Sequence, residues 1–146
     1  MSLFLLLSMF TFFLNAQTKK VAVGSVNGTT ASITDVTLAE NVLKANLPTG
    51  AYVSDVRLEY SGYDAKYYLT GRVTNAIMSA IGIQVQQTGT TLYAAAGPGV
   101  QITCYGTNCG ICRLKISHWK PECICDKPTA SEYSCDMSQT TTISIP

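Results

Sequence analysis

All six cysteines of this 146-residue chain, Cys104, Cys109, Cys112, Cys123, Cys125 and Cys135, fall in its last third. Among them stand few large apolar residues, chiefly Ile111, Leu114, Ile116, Trp119 and Ile124. A segment so poor in core-forming side chains needs cross-links to hold a shape. An even cysteine count in a chain that reads as exported points to three disulfides, and the spacing by itself selects none of the possible pairings. In the chain-entropy model a bridge closing a loop of about 15 residues stabilises by roughly 3 kcal/mol, comparable to a small patch of core. The alternative is zinc. Cys109-x2-Cys112 with Cys123-x-Cys125 offers four thiolates in two close pairs, enough for a tetrahedral site, with Cys104 and Cys135 left to bridge.

Export is read from the other end. Residues 1–16, "MSLFLLLSMFTFFLNA", carry an apolar run from Leu3 to Leu14 followed by the small residue Ala16. That is the pattern of a secretory signal peptide cleaved after Ala16. A membrane-spanning helix takes roughly 20 apolar residues, so no permanent span is expected. The chain then divides into the signal (1–16), a body (17–103) and a cysteine-rich C-terminal extension (104–146).

Ten Lys and Arg against nine Asp and Glu leave a formal charge of +1, and charged residues make up 13% of the chain. So balanced and sparse a set of charges gives no strong attraction to nucleic acid, and none is expected as a partner.

The body has readable periodicity. "VAVGSVNGTTASIT" places Asn27-Gly28 between two β-prone runs, a hairpin signal. Asn27-Gly28-Thr29 is also a glycosylation sequon. "TLAENVLKANLP" reads as a helix: Thr37 and Glu40 have capping-box spacing, Leu38, Val42 and Ala45 share a face, and Pro48 marks the end. Beyond it the period becomes two. Tyr52, Val56, Leu58 and Tyr60 are expected on one face, with Asp55, Arg57 and Glu59 on the other. "KYYLTGRV" sets Tyr67, Leu69 and Val73 against Lys66, Tyr68, Thr70 and Arg72. A third run aligns Ile77, Ile81, Ile83 and Val85. A fourth, "TLYAAA", stops at Gly97-Pro98-Gly99, a turn or bulge, and resumes as "VQITC". The expected fold is α+β, an N-terminal hairpin and one helix packed on a four-stranded antiparallel meander. The closing "SQTTTISIP" reads equally as an edge strand or a loose end.

A helix followed by such a meander resembles the cystatin-like arrangement. The likeness is one of architecture only: "QVQQTG", Gln84 to Gly89, lacks the valine and spacing of that family's Gln-x-Val-x-Gly loop, and no Pro-Trp pair follows. Function does not transfer on architecture. Likewise Cys104-x4-Cys109-x2-Cys112 with Cys135 resembles the ligand spacing of plant-type ferredoxins, without their acidic surface.

No catalytic motif is present. The single histidine, His118, would need a free thiolate beside it to form a nucleophile pair. No Gly-x-Ser-x-Gly elbow, phosphate loop or His-Glu-x-x-His helix occurs. Tyrosine is abundant, with eight in the chain. Tyr68, on the polar face of its strand, and Trp119 are therefore the candidate contact residues, since exposed aromatics offer rigid area with a polar tip. The expectation is a small secreted, disulfide-stabilised binding or surface protein, neither an enzyme nor the holder of a cofactor, meeting an extracellular protein or surface ligand. The zinc-binding protein stands as the alternative.

Overall fold

The computed structural model describes residues 18–146, so residues 1–16, expected to be a signal peptide, lie outside the described residues. The described residues form ten strands and one nine-residue helix: β1 (Lys20–Asn27), β2 (Thr30–Ile33), α1 (Val36–Lys44), β3 (Tyr52–Ser61), β4 (Lys66–Thr74), β5 (Ala80–Thr88), β6 (Thr91–Ala95), β7 (Gly97–Thr107), β8 (Cys112–Lys115), β9 (Glu122–Cys125) and β10 (Ser134–Ile143). Eight strands make one antiparallel sheet and β8–β9 a separate hairpin. This corrects the expected α+β fold and with it the cystatin-like arrangement. The architecture is mostly β, a nearly closed barrel-like sheet.

Three features account for the difference. β1 and β2 do not stand apart as a hairpin but join the main sheet, β1 pairing with β6 from Lys20↔Ala95 to Ser25↔Thr91. The sheet then curls until β2 lies against β3. Gly24 permits the approach at that seam, because a Cβ there would stand 2.2 Å from Leu58 Cδ1. Second, β7 runs on through Cys104 to Thr107, and β10 pairs with it from Ser134↔Thr107 to Ile143↔Gly97. The closing segment is thus an edge strand. Third, β5 is the hub, pairing with β4 along one edge and with β6 and then β7 along the other.

Local chemistry explains the finer departures. The hairpin turn forms at the predicted place, but Asn27 ends β1 and only Gly28 uses positive φ (+62°), at the first central position, as a type II′ turn does. The helix is capped by Asp35 rather than Thr37. Asp35 Oδ1 accepts from the Leu38 amide at 3.0 Å, and the buried stripe is Ala39, Val42 and Leu43. In β3, Tyr52 points outward and Val53 inward, opposite to expectation. The register slips between Ser54 and Arg57, and Asp55 takes a left-handed backbone (φ +52°). That bulge shifts the alternation by one residue, returning Val56 and Leu58 to the core and Arg57 and Glu59 to the outside. Ile77 precedes β5 and is 81% exposed, whereas Ile81, Ile83 and Val85 are buried as predicted.

Two cores result. The main one lies inside the curled sheet and includes Val23, Val42, Leu43, Leu69, Ile81, Ile83 and Leu92. The second lies on the sheet's outer face under the β8–β9 hairpin, where Tyr68, Ala80, Ile102, Cys104, Cys112, Leu114 and Ile116 pack together. Leu114 seats directly on Gly82, whose Cβ, if present, would be 2.5 Å from Leu114 Cδ2. No helix among the described residues is long and apolar enough to cross a membrane.

Candidate functional site

The cysteines form three bridges that pin the hairpin from different sides. Cys104–Cys123 ties β7 to β9, Cys109–Cys125 ties the loop before β8 to the end of β9, and Cys112–Cys135 ties β8 to β10. The four sulfurs considered for zinc, Cys109, Cys112, Cys123 and Cys125, therefore go to bridges, two of them to partners outside that set. Among the described residues no group of three or more His, Cys, Asp or Glu side chains is gathered as metal ligands. In this arrangement the sulfurs are bridged rather than free thiolates, the form in which cysteine ligates zinc or an iron–sulfur cluster. Three disulfides suit an oxidising, extracellular compartment.

Tyr68 has the predicted facing but not the predicted exposure. The hairpin covers it to 2% exposure, which removes it from the contact surface. Its hydroxyl donates to Asp64 Oδ2 at 2.6 Å. Burial, reinforced by that hydrogen bond and the carboxylate charge, pushes its pKa well above the ordinary phenol value. Trp119 is 79% exposed, in the loop after β8. That loop lies against the β3–β4 turn, where the Gly62 amide donates to the Ser117 carbonyl at 3.2 Å. His118 is exposed in the same loop, and every cysteine is bridged. No thiolate–imidazole pair forms.

What sequence reasoning missed is a groove of about 430 Å³ along one flank of the hairpin. Its floor and one wall come from β3 and β4, with Arg57, Glu59, Thr70 and Arg72, and from the Asp55 bulge. The opposite wall is the tail, from Gly110 to Leu114. Arg57 stands opposite Thr70 in the β3–β4 register, and Arg72 is two residues on from Thr70, so the two arginines are diagonal neighbours on the outer face. Neither makes a salt bridge among the described residues. Arg113, across the groove, is paired through Nε with Asp126, which with the nearby Glu59 charge holds its pKa above the usual guanidinium value despite some desolvation. Thr70 Oγ1 donates to Glu59 Oε2 at 2.9 Å, which fixes that carboxylate against the floor. The volume is within the range of small-molecule sites, roughly 300–1,000 Å³. The sequence signal that could have led here was the charge pattern Asp55-x-Arg57-x-Glu59 with Arg72, but it reads as an ordinary wet face until the tail is laid beside it.

No protein-family model matches the chain, and no characterised protein or solved structure is significantly similar to it.

Proposed function

We propose that this chain is a small secreted, disulfide-stabilised binding protein and that the groove between the sheet and the tail hairpin is its ligand site. The observation that carries the reading is the groove itself, whose two walls come from distant parts of the chain and are held in place by three bridges. Pre-organised walls lose little freedom when a ligand enters, so a modest contact area suffices for useful affinity. The groove's polar side chains are guanidinium, carboxylate, hydroxyl and amide groups, a set that suits recognition of a polar ligand by hydrogen bonds and charge. Secretion is supported by the signal-like residues 1–16 and by the three bridges.

The test is mass spectrometry of protein recovered from culture medium. Denatured and unreduced, the chain should begin at Gln17 and lack one hydrogen mass per cysteine. Under native conditions it should carry a small-molecule adduct that Thr74→Trp, which places an indole in the groove, removes. A metal released on denaturation together with free thiols would overturn the reading in favour of zinc. An adduct unaffected by Thr74→Trp would place the ligand elsewhere.

A further inference from the structure

Resting on that reading, we infer that the groove takes a small ligand bearing an oxyanion, a carboxylate, sulfate or phosphate group, held between Arg57 and Arg72. The lining holds three arginines, Arg57, Arg72 and Arg113, against two carboxylates, Asp55 and Glu59. They are not equally available. Arg113 is committed to Asp126 on the tail, and Glu59 accepts from the buried Thr70 hydroxyl. Arg57 and Arg72 are left as exposed guanidinium groups without an acidic partner among the described residues.

The placement of these two is built rather than incidental. Without the Asp55 bulge, Arg57 would alternate into the core; with it, Arg57 joins Arg72 on the outer face. Both arginines then line the same side of the groove, opposite the tail wall. A planar fork donates two parallel hydrogen bonds to an oxyanion, a geometry a lysine cannot supply, and such charge-assisted bonds are about twice as strong as neutral ones. Asp55 and the remaining lone pairs of Glu59 would repel a ligand that is anionic throughout. They suit one that presents hydroxyl or ammonium donors beside its anionic group.

The experiment is a two-dimensional NMR titration of the disulfide-intact protein with phosphate, sulfate and acetate, alongside a neutral polyol and a primary amine as probes. The anions should shift the Arg57 and Arg72 side-chain Nε–H signals and the amides of Gly71 and Gly110–Arg113. Arg57→Gln and Arg72→Gln should each weaken the titration about tenfold, equivalent to about 1.4 kcal/mol, while Lys20→Gln on β1 leaves it unchanged. Which anion binds tightest distinguishes a planar from a tetrahedral group. If the polyol or amine shifts the groove amides and the anions do not, the ligand class is wrong and the groove survives as a site. If no probe moves the groove, or the anions act equally on Lys20 and the arginines, both the class and the groove reading fail.

Discussion

The seating of Leu114 on Gly82 makes a quantitative prediction about how the tail is held. Leu114 is 8% exposed and belongs to the outer core. Truncating a buried leucine to alanine costs about 2–5 kcal/mol, the transfer term plus the cavity left behind. With bridges on three sides the hairpin has little freedom to collapse into the hole, so about 3 kcal/mol is expected for Leu114→Ala. Gly82→Ala acts from the other side of the same contact. Its Cβ would stand 2.5 Å from Leu114 Cδ2, well inside the optimal carbon separation of about 3.5–4.0 Å. Overpacking of this kind costs about 1–3 kcal/mol, offset in part by about 0.5–1 kcal/mol for replacing glycine within a strand. About 1 kcal/mol of net loss follows. In the double variant the new methyl fills part of the space the leucine vacated and meets no clash. Its total should therefore fall short of the sum of the single losses by about 1 kcal/mol or more. Urea unfolding of the oxidised proteins, followed by circular dichroism, measures all three, with an unchanged urea slope confirming that stability alone has changed. If the two losses add to within about 0.5 kcal/mol, the side chains are not in contact and the hairpin is not seated as described.

Other outcomes follow from the same geometry. Peptide mapping without reduction should recover Cys104–Cys123, Cys109–Cys125 and Cys112–Cys135, and any other pairing would refute the tail's arrangement. Replacing Cys109 and Cys125 together by serine should cost about 3 kcal/mol in chemical unfolding, the loop-closure value for a separation of 16 residues. At Asp55, whose φ is +52°, Asp55→Gly should be neutral to within about 0.5 kcal/mol, whereas Asp55→Val should cost at least about 1–2 kcal/mol because a β-branched side chain resists the left-handed conformation. Equal effects of the two changes on thermal unfolding would remove the bulge from the account. Tyr68 sets an alkaline limit. Its folded pKa is raised above the unfolded value, so its contribution to stability is fully present below about pH 10 and is lost as pH rises from there toward the folded value. A tyrosinate absorbance titration should show one phenol ionising late among the eight, and Tyr68→Phe should remove that phase. If the late phase persists in the variant, the burial of Tyr68 is wrong.

The legible parts of the fold were those where one face of a strand meets one core. Leu69, Val73, Ile81, Ile83 and Val85 alternate cleanly and are buried as predicted. Alternation failed in two ways. In β3 a single left-handed residue reverses the phase, and aspartate at position 55 gives no warning of it, since the residue is as ordinary on a wet strand face as in a bulge. In β4 the alternation was right, but a second layer covers the face that polarity marks as wet. The covering layer was legible only in part: Leu114 and Ile116 alternate with Arg113 and Lys115 and mark β8, but β8 and β9 are four residues each and β10 is mostly exposed apart from Ile143, so no hydrophobic pattern announces β9 or β10. The cysteines announced that the tail is tied down. Nothing in their spacing said what it is tied to.

That second layer explains why the groove exists where it does. A tail needed only to shield apolar surface would extend over the whole of the outer face, yet the hairpin covers Tyr68, Gly82 and Ile102 and stops short of Arg57 and Arg72. The uncovered strip is the strip that cannot be covered cheaply, because burying two unpaired guanidinium groups would cost far more than the apolar contact returned. The edge of the hairpin therefore becomes a wall facing charged residues across open space, and the bridges fix that wall in place. One segment accordingly serves both purposes: Cys112 and Leu114 complete the outer core and also line the groove, while Arg113 between them stays outward and exposed, paired with Asp126.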